Sequence, residues 1–434
     1  MTSSENFLNS NLFAIYGLGA TGSSVLNIFK KKKTNFFAWD DDKNVRSLHK
    51  INKKYKKKYF ENFLDQANYI VISPGIDIKK SKFKKKLIKN KKKIITDLDL
   101  FYLLNPKIKT IVVTGSNGKS TTCKIIEHVL KKNNLDVKIG GNIGKPILEL
   151  KNKKKTIIVI EASSFQLAYS KFVKPKYAII LNITSDHLDW HRTRNNYMKS
   201  KLKIFKNQNS SDYAFLNNKK LKAFYKRNKF KAKLKLIEIK NYYKIRKNIK
   251  NKYLKSEVNN ENMSFVYYLS KKFNISDSNF FNYANSFKGL NHRHETIFQK
   301  NGKIFINDSK ATNFEATKNA LISNKNIYWI VGGLPKKGDK FLINKYKKNI
   351  IKSYIVGKNV NFFKKQLKGK IKFELSFTLK KALLSIFMEI DKNSNNFLTV
   401  LFSPASASYD QYRNFQDRGN NFKKLVKTYA KNYL

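Results

Sequence analysis

Residues 112–122 read Val-Val-Thr-Gly-Ser-Asn-Gly-Lys-Ser-Thr-Thr, and this stretch predicts a strand, a phosphate-binding loop and a helix in succession. The β-branched run 111–113 favours a buried strand, and the small residues 115–118 favour a tight loop. A helical pattern begins at Ser120. Because the N–H groups and the dipole at a helix N-terminus both attract negative charge, such a loop is suited to anions. The stretch therefore predicts a nucleoside triphosphate as ligand.

Two chemical roles are predicted within this loop. Lys119 would reach the β- and γ-phosphates, and the hydroxyl of Ser120 or Thr121 would ligate Mg²⁺. A strict P-loop has a glycine five positions before Gly118, where this chain has Val113, so the loop is a compact variant. The residues predicted to bind the nucleotide here are Gly115, Ser116, Asn117, Gly118, Lys119, Ser120 and Thr121.

Length and composition indicate a folded protein of several domains. The chain has 434 residues, of which 41% are hydrophobic and 14% aromatic, so global disorder is not expected. No apolar run approaches the length that crosses a bilayer, and the first residues lack a signal-peptide pattern. Cys123 is the single cysteine, which excludes an internal disulfide. These features predict a cytoplasmic protein without membrane insertion.

The formal net charge of +61 allows two interpretations. A strongly basic chain can bind nucleic acid, because lysine and arginine displace counterions from phosphates. Here the basic residues are mostly lysine, they are spread along the chain, and Asn, Ile, Phe and Tyr are abundant as well. That profile is typical of a proteome that favours AT-rich codons. We favour this second interpretation and expect no nucleic-acid partner.

The N-terminal region carries a second glycine-rich loop. A strand pattern at 12–16 precedes Gly17-Leu18-Gly19-Ala20-Thr21-Gly22, and a second strand pattern at 36–39 ends at Asp40. This arrangement matches the dinucleotide fingerprint, although alone it fits NAD, another phosphate ligand or none. A third strand pattern at 69–72 runs into Ser73-Pro74-Gly75. The region predicts a small parallel sheet with a nucleotide site at its carboxyl edge.

Polar residues also follow strand patterns in the middle of the chain. The run 156–160 ends at Glu161, and the run 177–181 leads into Asn182-Ile183-Thr184-Ser185-Asp186-His187. In a parallel sheet these positions lie at the ligand edge, so Glu161 and His187 are predicted to serve the same Mg-nucleotide, with solvated surface residues as the alternative. Residues 206–258 show no readable pattern, and strand patterns at 303–306, 327–331, 353–356 and 397–402 predict a third α/β region.

In these segments the chain resembles the Mur ligases, the ATP-dependent amino-acid ligases that build the peptidoglycan stem peptide. The resemblance extends from about Gly17 to Gly419, nearly the whole chain, and its motifs occur in the family's order. They are 114–121, 141–144, 161–167, 186–189, Asn259 with Asn262, 292–295 and 307–313. It implies an α/β fold of three domains: an N-terminal Rossmann-like UDP-binding domain over 1–97, a central P-loop parallel-sheet ATPase domain over 98–289, and a C-terminal Rossmann-like α/β domain over 290–434 that binds the amino acid.

The C-terminal segment 403–419 carries the expected substrate choice. It resembles the family members that add D-glutamate, and the Asp-Asn-Pro-Arg motif of the diaminopimelate- or lysine-adding relatives is absent. The resemblance implies ATP-dependent addition of D-glutamate to UDP-N-acetylmuramoyl-L-alanine through an acyl phosphate, by a monomer. Three alternatives are another Mur ligase or a folate polyglutamate synthetase, a basic P-loop ATPase acting on nucleic acid, and a dehydrogenase.

The resemblance also implies roles for individual residues. Lys119, Glu161, His187 and Lys201 would be catalytic, and Ser120, Glu161, His187 and Lys201 would surround two Mg²⁺ ions. Besides the P-loop, ATP would contact Asn259, Asn262, Arg293, Asp308 and Lys310. The UDP substrate would contact Leu18, Ala20, Thr21, Asp40, Ser73, Gly75, Asn142 and His187. D-Glutamate would contact Thr312, Lys336, Ser408 and the backbone around Phe415.

Lys201 matches the family lysine that CO₂ carbamylates. Carbamylation needs a neutral amine, and nearby cations with partial burial would lower the lysine pKa toward that state. The segment is rich in lysine, so Lys199 or Lys203 could be mistaken for it. The register Lys-Leu-Lys-Ile-Phe favours Lys201.

Overall fold

A computed structural model describes residues 3–49, 51, 57–184, 186–251, 253–336, 338–392 and 397–433. Over these residues the chain forms three β-sheets, each surrounded by helices. The α/β class with parallel sheets, predicted from the strand and helix patterns, is confirmed.

The first sheet is parallel throughout and is buried on both faces. Along β1 (Phe13–Tyr16) every residue is buried, and alternate residues belong to two different apolar clusters. The other strands are β2 (Phe36–Trp39), β3 (Tyr69–Ile72) and β4 (Ile94–Ile95), and the order is β2-β1-β3-β4. Its helices are α1 (Ser3–Asn9), α2 (Ala20–Lys31), α3 (Lys43–Leu48), α4 (Lys57–Gln66), α5 (Lys84–Lys89) and α6 (Asp97–Leu104).

The second sheet has six parallel strands in the order β10-β9-β8-β5-β7-β6. They are β5 (Lys109–Thr114), β6 (Val137–Gly141), β7 (Ile157–Glu161), β8 (Tyr177–Ile180), β9 (Tyr213–Leu216) and β10 (Lys233–Leu236). Because β5 lies between β7 and β8, the loop after β5 is placed beside the ends of both neighbours. The helices are α7 (Lys119–Lys132), α8 (Ser164–Tyr169), α9 (Leu188–His191), α10 (Arg194–Leu202), α11 (Lys219–Arg227), α12 (Ile239–Arg246), α13 (Glu257–Ser270) and α14 (Asp277–Asn285).

The third sheet has the order β11-β12-β16-β13-β14-β15, and its first strand is antiparallel to the second. Its strands are β11 (Glu295–Lys300), β12 (Lys303–Asn307), β13 (Ile327–Gly332), β14 (Ile350–Val356), β15 (Phe373–Phe377) and β16 (Leu398–Phe402). Apolar clusters cover both faces. The helices are α15 (Phe314–Ser323), α16 (Val360–Leu367), α17 (Leu379–Lys392) and α18 (Phe415–Tyr433).

Several strands were absent from the prediction. The unreadable segment 206–258 contains β9, α11, β10 and α12, and β4, β6, β11 and β15 were also missed. Helix α7 begins at Lys119, one residue before the predicted start.

The chain divides into two compact units. One comprises Met1–Asn251 with Asn259–Phe287 and contains the first two sheets; the other comprises Lys252–Val258 with Lys288–Leu434 and contains the third. The three-domain boundaries at 97/98 and 289/290 stay a prediction. Among the described helices, none is both long and apolar enough to cross a membrane.

Candidate functional site

The loop between β5 and α7 requires glycine at two positions. Gly115 and Gly118 have φ values of +156° and +82°, and a Cβ at Gly118 would lie 2.1 Å from Asn262 Oδ1. Asn182, in the segment after β8, holds this loop through two hydrogen bonds. Ser116 N donates to Asn182 O and Asn117 N donates to Asn182 Oδ1, both at 2.9 Å. It opens a helix of 14 residues, whose N-terminus is the predicted phosphate site.

Two lysine amines converge on one carbonyl oxygen of this loop. Lys119 Nζ donates to Gly115 O at 2.9 Å and to Ser116 O at 2.7 Å, and Lys201 Nζ donates to the same Gly115 O at 2.8 Å. Lys201 is only 1% exposed. Burial, with a further contribution from the positive charge of Lys119, lowers the pKa of Lys201 well below its ordinary value. The site thus favours a neutral amine at Lys201.

The three neighbouring lysines of α10 and the turn after it differ in environment. Lys199 is exposed, and Lys203 donates to the carbonyls of Ala168 and Ser170, away from the phosphate loop. Only Lys201 among the three bonds to the loop, and it also lies 4.6 Å from the centre of the Tyr197 ring. The structure therefore places the predicted lysine, rather than either alternative, beside the phosphate loop.

Glu161 supplies a buried carboxylate at the adjacent strand end. It is the last residue of β7 and is paired in register with Val113 of β5. Its Oε1 accepts a hydrogen bond of 3.0 Å from Asn142 Nδ2, whereas its buried Oε2 has no hydrogen-bond partner among the described residues. A buried carboxylate oxygen without a donor fits a hard divalent cation.

The protein side chains do not form a complete metal cage by themselves. Within the described ranges, no group of three or more His, Cys, Asp and Glu residues is arranged to hold a metal ion. The buried hydroxyl of Ser120 and the Glu161 carboxylate are each single donors. This sparse donor set fits Mg²⁺, which commonly takes one or two protein ligands and completes its shell with phosphate oxygens and water.

His187 lies on the segment that follows β8. It has a φ of +53°, its Nε2 is 3.4 Å from Asp186 Oδ2, and its ring packs on Phe165 at 4.7 Å between centroids. The left-handed conformation is sparsely populated for a non-glycine residue and often marks a functional position. The structure thus places Glu161 at the end of β7 and His187 in the segment after β8, and these two strands flank β5 in the same sheet.

A second histidine, His191, connects helix α9 to helix α8 next to His187. Its Nε2 lies 3.0 Å from Ser164 Oγ, and its ring stacks on Phe165 at 5.6 Å. Burial, with like charge from His187 and Lys201, lowers its pKa to about 4. His191 is therefore a neutral bridge between α8 and α9.

The first glycine loop is built around close backbone contact. A Cβ at Gly22 would lie 1.8 Å from Gly17 O, so α2 can pack here only with glycine. Leu18 N donates to Asp40 Oδ2 at 2.6 Å, and Ser73 Oγ donates to Gly17 O at 2.7 Å. The structure thus brings Leu18, Asp40 and Ser73 together. Ala20, Thr21 and Gly75 lie on the same strand-end loops and the first turn of α2.

The two asparagines on α13 pack beside the phosphate loop. Asn262 accepts from Thr122 Oγ1 at 3.2 Å and donates to Asn259 Oδ1 at 3.0 Å. Both are buried. They support the loop and the first turn of α7 in this conformation.

In the second unit, Asp308 follows β12 and is buried. Its Oδ1 accepts from His294 N at 3.1 Å and its Oδ2 from Ser403 Oγ at 2.7 Å. Burial raises the pKa of Asp308 to about 7 despite these hydrogen bonds and the charge of Arg293. Lys310, two residues on, places its Nζ 3.9 Å from the centre of the Phe415 ring.

The residues assigned to the amino acid lie on three loops of the third sheet. Thr312 follows β12, Lys336 follows β13, and Ser408 and Phe415 follow β16, Phe415 being the first residue of α18. Because these strands are parallel neighbours, their carboxyl ends share one edge.

Sequence reasoning missed Asn182, Tyr197 and His191 as parts of the site. Asn182 directly follows β8, and that position was a usable signal. Tyr197 OH lies 3.0 Å from Ser116 Oγ, a contact across 81 positions that no local pattern encodes.

Two family models and several curated proteins are similar in sequence to this chain. Residues 113–286 match the model of the Mur ligase middle domain, and residues 11–96 match the MurD-like Mur ligase N-terminal domain. A UDP-N-acetylmuramoylalanine–D-glutamate ligase of Rickettsia bellii is 33% identical, with 95% of this chain and 97% of the relative covered. The enzyme of the same name from Buchnera aphidicola is 35% identical, with 98% and 99% covered.

Solved structures share the fold at low identity. A MurF ligase from Thermotoga maritima in complex with ADP superposes with a TM-score of 0.56 at 15% identity, covering 86% of this chain and 94% of that one. The UDP-N-acetylmuramate–alanine ligase MurC from the same organism gives a TM-score of 0.54 at 15% identity, covering 97% and 100%.

Proposed function

The chain belongs to the Mur ligase family, and from this premise we propose that it joins D-glutamate to UDP-N-acetylmuramoyl-L-alanine in the cytoplasm, at the expense of ATP. The product would be the UDP-linked dipeptide, with ADP and phosphate released. The D-glutamate-adding relatives cover nearly the whole chain, which supports this choice over a ligase with another acceptor.

The observation that carries the proposal is the buried Lys201 amine against the phosphate loop. A plain P-loop ATPase needs only the loop lysine to neutralise phosphate charge. A second, desolvated lysine would repel the cation of Lys119, so its presence calls for another explanation. The nitrogen of the neutral Lys201 amine would bond to the carbon of CO₂ as one C=O π bond opens onto its oxygen, and the nitrogen would release a proton to water. The anionic carbamate so formed would attract the cation of Lys119.

The chemistry that we propose has two steps. A carboxylate oxygen of the alanyl group attacks the γ-phosphorus of ATP, and ADP leaves with the bonding electrons. The amine of D-glutamate then attacks the acyl carbon, phosphate departs, and the nitrogen loses a proton as the amide forms. Positioning and charge neutralisation supply most of the acceleration in phosphoryl transfer. Lys119 and the N–H groups of the loop would perform that role.

Mg²⁺ would fit beside Ser120, Glu161, His187 and a carbamylated Lys201, in two neighbouring positions. When bound, it supplies charge neutralisation at the phosphate and acceptor oxygens. The buried, donor-free Oε2 of Glu161 is the feature of the chain that fits it. His187, fixed next to Asp186, would orient the acceptor end of the site.

The remaining assignments follow the family order and are part of the same proposal. The first glycine loop with Asp40, Ser73 and Gly75 would hold the UDP group, and Asn142 the muramoyl part. Asn259, Asn262, Arg293, Asp308 and Lys310 would hold ATP. Thr312, Lys336, Ser408 and the backbone at Phe415 would hold D-glutamate.

The test is phosphate release from ATP and Mg²⁺ in the presence of UDP-N-acetylmuramoyl-L-alanine, with D-glutamate, L-glutamate, L-lysine or no amino acid. We expect release that depends on D-glutamate, with a product heavier by one glutamyl residue by mass spectrometry. Release with a different amino acid would refute the substrate assignment. Release stimulated only by DNA or RNA would refute the ligase proposal.

A further inference from the structure

Arg418 is a buried cation in the first turn of α18. Its side chain is 3% exposed, and burial lowers its pKa to about 10, so it carries its charge at neutral pH. Nε donates to Ser309 Oγ at 3.1 Å, while Nη2 donates to Ser309 O at 2.8 Å and to Ser406 O at 2.9 Å. One planar guanidinium thus joins a loop after β12 to a loop after β16.

The same guanidinium also abuts the loop after β13. A Cβ added at Gly333 would lie 3.1 Å from Arg418 Nη1 and 2.5 Å from Ser406 Oγ. Ser406 Oγ in turn donates to Gly332 O at 2.6 Å. Three loops, 308–313, 333–336 and 403–414, therefore meet at Arg418.

One further hydrogen bond extends this junction to the start of α18. Ser309 Oγ, which accepts from Arg418 Nε, donates to Phe415 O at 2.9 Å. Each of the three loops, or the helix start that follows the third, carries a residue assigned to the amino acid: Thr312, Lys336, Ser408 and Phe415. Arg418 itself lies behind them, because its buried Nη1 is closed off from solvent.

The Arg418 guanidinium has no direct carboxylate partner among the described residues. Its printed hydrogen bonds go to Ser309 and Ser406, Nη1 has no hydrogen-bond partner, and the charges of Asp410 and Asp308 favour the cation from beyond ion-pair distance. Burying a cation without a direct ion pair is unfavourable, and a well-packed apolar residue of similar size commonly costs less. A rigid fork with five donors in one plane, however, can fix several backbone carbonyls at once.

We propose that Arg418 is a positioning residue, which fixes the relative geometry of the loops 308–313, 333–336 and 403–414 so that they form one binding surface for the amino-acid substrate. The structural part rests on the hydrogen bonds above. The identity of the substrate rests on the proposed function.

The structural part is tested without substrate, by hydrogen–deuterium exchange on the full chain. Arg418→Lys keeps the charge and loses the fork, and Arg418→Gln loses both. We expect both variants to exchange faster in all three loops, while β12, β13 and β16 stay protected. Unchanged exchange in the loops would overturn the proposal. Arg227→Lys, at an exposed arginine of α11 outside the three loops, is the control and should match the wild type.

The functional part is tested by steady-state kinetics with each substrate varied. We expect both variants to raise KM for the amino acid by about tenfold or more, with a smaller change in KM for ATP and for the UDP substrate. A defect in Arg418→Gln alone would mean that charge, not the fork, is required, and would overturn the proposal. An equal loss for all substrates would indicate a general folding defect and would also overturn it.

If the Arg418 variants fail to fold, Ser309→Ala provides the milder test. It removes the hydroxyl that accepts from Arg418 and donates to Phe415, and leaves the arginine in place. We expect faster exchange at 403–414 and a raised KM for the amino acid; wild-type behaviour in both would overturn the proposal. If the wild type uses an amino acid other than D-glutamate, the proposed function fails, and the same KM measurement with that amino acid still tests Arg418.

Discussion

The two glycine-rich loops of the first unit share one construction and differ in their surroundings. Each loop follows an inner strand of a parallel sheet and leads into a helix. In each, an added Cβ would come too close to neighbouring atoms, to the backbone at Gly17 for Gly22 and to the Asn262 side chain for Gly118. In the loop 17–22, Leu18 N donates to the Asp40 carboxylate and Gly17 O accepts from the Ser73 hydroxyl. The loop 115–118 holds two lysine amines on one carbonyl, next to a buried carboxylate.

The different surroundings of the two loops suit two different tasks, which are binding a phosphate group and transferring one. Backbone N–H groups and a helix dipole suffice to hold a pyrophosphate that does not react. Transfer produces new charge on the phosphoryl oxygens, which needs cations and metal ligands fixed in advance. Among the described residues, the printed lysine hydrogen bonds and the donor-free carboxylate lie at the second loop, so we propose that the first loop binds and that the second carries the chemistry.

The largest effect is expected when Lys201 is removed from the second loop. Lys201→Ala should lower kcat by about 1,000-fold or more, because the carbamate ligand is lost and the metal site is left incomplete. Formate or acetate should restore part of the rate by filling the space with a carboxylate. Folding should be unharmed, since the variant removes a buried amine whose desolvation is costly.

The control for this change is Lys199→Ala, on the exposed side of the same helix, which should keep wild-type kcat. Full activity in Lys201→Ala would refute the assignment and remove the main distinction between the two loops.

Glu161→Gln should have the next largest effect. The change keeps the size of the side chain and the acceptor for Asn142, but removes the negative charge beside the donor-free oxygen. We expect kcat to fall by about 100-fold and the Mg²⁺ concentration for half-maximal rate to rise. Glu149→Gln, at an exposed glutamate of the same region, should change neither quantity. A variant with an unaltered Mg²⁺ requirement would show that Glu161 is not a ligand.

The local sequence was sufficient to predict both loops, because the residues that indicate strand, loop and helix follow one another directly in the chain. The apolar run of β5 is followed by the small residues 115–118, and that of β1 is followed by Gly17. The strand, the loop and the helix could therefore each be located in the sequence. Glu161 and His187 could be placed because residues after parallel strands share one edge. The strands β9 and β10 were missed, since four-residue segments among lysine-rich helices present neither a long apolar run nor a glycine boundary.

The groups that local sequence could not place are those defined by long-range packing. The register Lys-Leu-Lys-Ile-Phe favoured Lys201 by resemblance, but the alternation of Lys199, Lys201 and Lys203 does not itself show which amine faces the loop, because that depends on how α10 packs against α8. Arg418 bonds Ser309 across 109 positions, and Tyr197 reaches Ser116 across 81. Contacts between residues so far apart in the sequence can be identified only from the folded structure.

The first loop is tested by its glycines. Gly22→Ala should lower the free energy of unfolding by about 2 to 3 kcal/mol, because its Cβ would lie 1.8 Å from Gly17 O and α2 would have to move. Any folded enzyme should show a raised KM for the UDP substrate, with KM for ATP nearly unchanged. Gly19→Ala is the matched control: no atom lies within 4 Å of its Cβ, so a loss of only a few tenths of a kcal/mol is expected. Denaturant unfolding of both variants decides whether close packing explains the glycine.

The smallest effect is a pH dependence at His191, whose ring packs on Tyr197, the residue that contacts Ser116 of the second loop. Its pKa is about 4 in the folded chain and about 6.5 when unfolded, so between these values only the unfolded state takes up the proton. The stabilisation is therefore complete above pH 6.5 and is lost as pH falls toward 4. From pH 7.5 to 5.0 the wild type should lose about 2 kcal/mol more unfolding free energy than His191→Gln. Urea unfolding of both proteins at the two pH values measures this difference, and the contributions of the other histidines cancel because both proteins contain them. Equal losses in the two proteins would mean that His191 accepts its proton freely in the folded state, and that it is not a neutral, buried bridge between α8 and α9.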